Sequence, residues 1–144
     1  MNGHGAIRPS QPLTVGIWYD NKELNEFQLN NSDIITFHNY SKAEDMEKEI
    51  KELLKRNRPL ICTEYMARTN GSTFETHLPI LKKYNVGGDQ LGFCKRQEQY
   101  YFSLGSKKKG VRNQKPGFMI FSEMTGTPFD KNEVAMIKNL TGKN

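Results

Sequence analysis

The sequence predicts an α/β fold in which short parallel strands are linked by packed helices. Three observations carry that prediction. Apolar, β-rich runs such as Leu13 to Trp18 and Leu60 to Glu64 are four to six residues long and stop on polar or aromatic side chains. Segments with apolar residues at helical spacing follow two of these runs. Turn residues, Asn30 to Ser32 and Thr69 to Gly71, separate the segments. The resulting order of strand, strand, helix, strand, helix is that of βα units.

The elements follow in chain order. Leu13 to Trp18 (LTVGIW) comes after Pro12 and reads as the first strand, and Asp33 to Tyr40 (DIITFHNY) as the second. The residues between them, including Asp20 and Glu23, read as a loop without a motif. Ser41 then opens a helix as N-cap, with Glu44 three residues on completing a capping box. Met46, Ile50, Leu53 and Leu54 recur at helical spacing until Asn57, where Arg58 and Pro59 stop the helix. Leu60 to Glu64 (LICTE) is the third strand, polar at its C-terminal end. A second helix takes Ser72 or Thr73 as cap and Glu75 in its first turn, carries Phe74, Leu78, Leu81 and Tyr84, and ends near Asn85 and Gly87. Pro79 within it predicts a kink. A last helix runs from Asp130 to Leu140, with Val134, Ile137 and Leu140 on one face and Gly142 after it. Between Gly88 and Gly126 no period is sustained beyond a short strand near Gln99 to Phe102.

Composition narrows the function classes. The chain has 144 residues, 35% apolar and 26% charged, which is the globular range. Its net charge of +5 does not point to nucleic acid, because Lys and Arg alternate with Glu through residues 42–58 as on a solvated helix face. The compact run Lys107, Lys108, Lys109 lacks a reader motif or a stacking platform beside it. Cys62 and Cys94 have no paired spacing for zinc, and Cys62 sits in an apolar run as a buried thiol. No stretch is long and apolar enough to span a membrane, and the opening MNGHGAIRPS lacks the apolar core of a signal peptide.

In α/β barrels the working side chains stand at the C-terminal ends of strands. Three ends occur here: Trp18; His38, Asn39 and Tyr40; and Glu64, followed by Tyr65 and Arg68. Each also has a plain structural reading. Glu64 serves as a polar strand end, His38 as a hydrogen-bonded structural histidine, Trp18 as core or as a sugar-stacking platform, and Arg68 as the partner of a carboxylate. His77, on a helix, reads as surface or packing.

The stretches RPSQPLTVGIW, SDIITFHNY and RPLICTEYMAR, with the helix GSTFETHLPILKKYNVG, resemble the last strands of bacterial barrel enzymes related to glycoside hydrolase family 5, usually described as cellulases or 1,4-β-xylanases. The resemblance covers residues 6–87 and 127–144. It implies one partial domain over residues 1–144, the C-terminal half of a (β/α)8 TIM barrel, incomplete. It also implies a retaining glycosidase acting on β-linked polysaccharides or oligosaccharides, without cofactor or metal, whose parent enzyme is secreted or periplasmic. Glu64 then takes the place of the nucleophile, with Tyr40 hydrogen-bonded to it and His38, Asn39, Tyr40, Trp18 and Arg68 facing the substrate. Retention requires a second carboxyl roughly 5–5.5 Å from the first, to protonate the leaving oxygen.

The chain departs from that family in two places. A closed barrel takes about 250 residues, so strands one to four and the acid/base glutamate of strand four have no room here. Asp33 cannot replace that glutamate, because it opens its strand and belongs to the opposite face. Where the family has an eighth strand with an Asn-Trp-Gly-like core, this chain has GGDQLGFCKRQEQYYF. Back-translated codons for Gly88 to Gly105, read one base later, permit AINWGFVSGKSNTIFPWD. The segment GFMIFSEMTG read two bases later permits WFHDIFRNDG, and NGHG read one base earlier permits EWAW. Residues 1–5 and about 88–126 are therefore expected to be frameshifted, with Met1 an accidental start. The fragment is expected to be inactive alone and to self-associate through open barrel edges. The alternative is a non-catalytic carbohydrate-binding or interaction module using Trp18, Tyr40 and Tyr65 as platforms.

Overall fold

A computed structural model describes residues 9–89, 126–128 and 130–142. Strands β1 (Ile35–His38), β2 (Leu60–Glu64) and β3 (Gly87–Gly88) form a parallel sheet in that spatial order. Helices α1 (Lys22–Asn30), α2 (Ala43–Leu54), α3 (Phe74–Lys83) and α4 (Lys131–Thr141) complete a mixed α/β fold. The frameshift expected for residues 1–5 and most of 88–126 lies outside the described residues, as do Cys94, Lys107 to Lys109 and the strand expected near Gln99.

The sheet forms where the apolar runs predict it. Ile35, Thr36 and Phe37 are consecutive buried residues, the mark of a parallel strand covered on both faces. Met46, Ile50 and Leu53 of α2 and Phe74, His77 and Leu81 of α3 supply buried cover. Phe37, Met46, Ile50 and Cys62 are fully buried, so truncating Phe37 to Ala is worth about 3–5 kcal/mol of stability. A Cβ on Gly88 would lie 2.9 Å from Leu81 Cδ1, so glycine lets α3 pack closely on β3.

Several local expectations are corrected. Leu13 to Trp18 pairs with the sheet only at Ile17, bridged in parallel to Phe37: Ile17 N–H donates to the Thr36 carbonyl (2.9 Å) and His38 N–H to the Ile17 carbonyl (3.1 Å). Earlier in the run, side chains take the place of a ladder. The Asp33 carboxylate accepts from Leu13 N–H (2.8 Å) and Ser32 Oγ from Val15 N–H (3.0 Å). The segment read as loop contains α1, capped by Asn21, whose side chain accepts from Leu24 N–H (3.0 Å). Leu24 and Phe27 are exposed and only Leu29 is buried, so α1 carries no apolar stripe for a sequence reading to find. Instead Arg56 pairs with Glu26 (2.5 Å), and Arg58 binds the Leu29 and Ser32 carbonyls at the helix end.

Helix α2 begins one residue later than its motif suggests. Its N-cap is Lys42, with no side-chain cap, and the Ser41–Glu44 box does not form. The Ser41 N–H is held by Asn39 Oδ1 (2.9 Å) and its carbonyl faces His77 Nε2 (3.2 Å), which anchors Ser41 in the preceding loop. For α3 the cap is Thr73, with a capping box completed by Thr76. The helix runs through Pro79 without interruption. Pro79 and Glu75 are exposed, so water can satisfy the carbonyl that loses its partner. In α4 the apolar face is half-buried, and the one buried residue is Glu133.

Candidate active site

The strand ends meet on one edge of the sheet. Phe37 pairs with Cys62 but His38 pairs with Glu64, so β2 carries one extra residue, Thr63, at an irregularity in the register. Such a bulge re-aims the side chain that follows it. It sets Glu64 directly opposite His38. The Thr63 hydroxyl donates to the Phe37 carbonyl (3.3 Å), and Asn39 N–H donates to the Glu64 carbonyl (2.9 Å), which fixes the two ends together.

Glu64 is the centre of this cluster. The Tyr40 hydroxyl donates to Glu64 Oε2, and His38 Nδ1 lies 3.4 Å from the same oxygen. The Glu64 side chain keeps 22% of its surface exposed and that of His38 24%. Trp18 stacks on the His38 ring at 6.4 Å and 27°, and meets Tyr19 edge-on at 5.9 Å. At 69% exposed, Trp18 is a surface platform and not core. Chemically, the cluster is a reachable carboxylate with one oxygen fixed by a phenol, next to an imidazole.

Two other sequence-predicted site residues serve as supports. Asn39 is 8% exposed, donates from Nδ2 to Glu49 Oε2 (2.5 Å) and accepts the Ser41 N–H. Arg68 turns to α4, where Nε and Nη2 bind the Glu133 carboxylate at 2.8–3.1 Å. Tyr65 is 2% exposed, stacked on His77 (6.1 Å) and edge-on to Phe74 (6.0 Å), so it offers no platform to a ligand. Burial pushes the Cys62 thiol up to about 12 and makes it inert.

An open cleft of about 360 Å³ adjoins the cluster, walled by Ile17, Trp18, Tyr19, Asp20, Asn25, His38, Asn39, Tyr40, Ser41 and Glu49. Glu64 is not among its lining residues, so the cleft lies beside the carboxylate and not over it. Sequence reasoning missed Tyr19, Asn25 and Glu49. Glu49 stands in a run of alternating charges that reads as solvated surface, yet burial raises its carboxyl above the usual range while the Asn39 hydrogen bond pulls it back. Asn25 Oδ1 is the one buried side-chain oxygen among the described residues without a hydrogen-bond partner.

Among the described residues no three His, Cys, Asp or Glu side chains are grouped to hold a metal ion, and no helix is long and apolar enough to cross a membrane. Fold and site together define an α/β protein with a carboxylate, phenol and imidazole gathered at the C-terminal edge of a parallel sheet. No protein-family model, curated protein or solved structure matches the chain.

Proposed function

We propose that this chain is the C-terminal part of a retaining (β/α)8-barrel glycoside hydrolase acting on β-linked polysaccharides or oligosaccharides, with Glu64 as nucleophile. The observation that carries this reading is the convergence of the Tyr40 hydroxyl and His38 Nδ1 on Glu64 Oε2 at adjacent parallel strand ends. That is where barrel enzymes keep their working groups. A carboxylate oxygen of Glu64 attacks the anomeric carbon, and the bond to the leaving oxygen breaks with its electron pair. The leaving oxygen takes a proton from an acid on a strand this chain does not contain, and water later cleaves the glycosyl ester. Strands β1 and β2 correspond on this reading to strands six and seven of the barrel.

The missing acid sets the experiment. A 2,4-dinitrophenolate leaves without a proton, and a 2-fluoro substituent slows hydrolysis of the ester, so dinitrophenyl 2-deoxy-2-fluoro-β-cellobioside and its xylobioside counterpart test the nucleophile alone. Mass spectrometry is expected to find one fluoroglycosyl group on the peptide carrying Glu64, and none in Glu64→Gln. Tyr40→Phe removes a hydrogen bond to a charged acceptor, about 1.5–3 kcal/mol, and is expected to slow labelling roughly 10- to 100-fold. Turnover of unactivated glycosides stays undetectable, since general acid catalysis contributes roughly 10²–10⁴. Absence of labelling, or equal labelling of Glu64→Gln, rejects the assignment.

The exposure of Trp18 and Tyr19, 69% and 57%, favours a second reading as a non-catalytic carbohydrate-binding module. Reversible glycan binding without labelling decides for it.

A further inference from the structure

The cleft beside Glu64 has its own chemistry. Its two carboxyl side chains, Asp20 and Glu49, stand with Trp18, Tyr19 and Asn25, and no lysine or arginine lines it among the described residues. That is unusual in a chain carrying 21 basic against 16 acidic residues. Its volume of about 360 Å³ is at the low end for a small-molecule site, which spans roughly 300–1,000 Å³. Trp18 stacks on His38, meets Tyr19 edge-on and still keeps 69% of its surface open, so it can take the C–H face of a pyranose. Asp20 is exposed, Glu49 is bound by the neutral amide of Asn39, and among the described residues neither carboxyl is ion-paired to a cation. Both offer acceptor oxygens suited to sugar hydroxyls.

We propose that this cleft is a glycan subsite flanking Glu64 that accepts uncharged sugar rings and rejects uronic acids, with Trp18 as the stacking platform and Asp20 and Glu49 as hydroxyl acceptors and charge filter. The proposal rests on the reading that the strand ends bind a glycan, and it adds the class of glycan. A ring carboxylate entering the cleft meets Asp20 and Glu49 with no compensating cation, and selectivity by a like charge is selectivity by repulsion. A neutral ring carries no charge to be repelled, and its hydroxyls find acceptors in both carboxylates.

Trp18 is the single tryptophan of the chain, so its fluorescence reports this cleft directly. Cellotetraose and xylotetraose are titrated against C6-carboxylated cellotetraose, which keeps the same backbone, at low salt. The neutral tetraoses are expected to give a saturable change and the carboxylated one at least about tenfold weaker binding. In Asp20→Asn/Glu49→Gln that gap is expected to close. Asp20→Asn alone, at an exposed position, should narrow it and serves if the double variant does not fold by circular dichroism. No saturable response to either neutral tetraose, equal affinity for the carboxylated ligand, or a gap unchanged in both variants overturns the proposal. Glu64→Gln separates the two claims: fluoroglycoside labelling tests Glu64, whereas neutral-glycan binding by this variant tests the cleft. Binding without labelling rejects the nucleophile and keeps the subsite, and labelling without tetraose binding does the reverse.

Discussion

At the scale of single residues, chemistry-bearing types were readable but their surroundings were not. Glu64, His38 and Tyr40 stand out because each closes an apolar run, and the structure brings them to one carboxylate oxygen. His77 was equally visible as a residue, yet its surroundings were not: it is fully buried. Ser72 has one proton, which goes to the Tyr65 carbonyl, so Ser72 Oγ must accept from His77 Nε2 (3.0 Å) while Nδ1 accepts from the Thr76 hydroxyl (2.7 Å). Burial lowers this imidazole from its ordinary 6.5, against the Ser41 carbonyl and Glu44, which raise it. The unfolded chain therefore binds the proton first, and stability is lost as pH falls from about 6.5 toward the folded value. Glu49 and Glu133, both raised by burial, act in the opposite sense, so the comparison must be with a variant. Urea midpoints at pH 7.5 and 5.5 are expected to fall further for the parent than for His77→Gln. Parallel pH slopes in the two proteins would count against the buried neutral histidine.

At the scale of elements, periodicity located α2, α3, β1 and β2, because each buries an apolar stripe or run, and α4, whose apolar face is half-buried. It failed for α1, whose leucine and phenylalanine at 24 and 27 face outward, and for the start of α2, where Asn39 and His77 hold Ser41. Only the structure gives the tie between the loop after β2 and α4. The Glu133 side chain, 7% exposed, is bound by Arg68, at 17%. Breaking a buried pair from one side leaves a charge without compensation. Arg68→Ala is expected to cost on the order of 3 kcal/mol, and Glu133→Gln, which keeps an acceptor and leaves the unpaired charge on the more exposed partner, on the order of 1 kcal/mol. Urea denaturation measures both; equal costs would mean the pair is not effectively buried.

At the scale of the whole molecule, Ile17, β1, β2 and β3 follow one another in parallel, each beside its sequence neighbour. Sequential parallel neighbours are what successive βα units produce. The proposed frameshift adds a test at the level of the gene. If the aberrant segment replaces an Asn-Trp-Gly strand, the codon of Leu91 should have the form YTG and that of Gly92 should be GGG, since only these yield Trp and Gly on a one-base slip. DNA sequencing that finds any other Leu91 codon rejects the slip and leaves a genuine insertion.

The sequence by itself determined the α/β class, the places of most elements and the identity of the strand-end residues, because local periodicity and the polarity of a run's last residue are recorded in neighbouring positions. Tertiary structure alone decided that Thr63 is the extra residue that turns Glu64 to His38, that Arg68 and Asn39 serve as supports, and that Glu49 reaches the cleft. Each of these depends on a contact between segments 10 to 65 residues apart, and a one-residue shift in register changes which side chains meet.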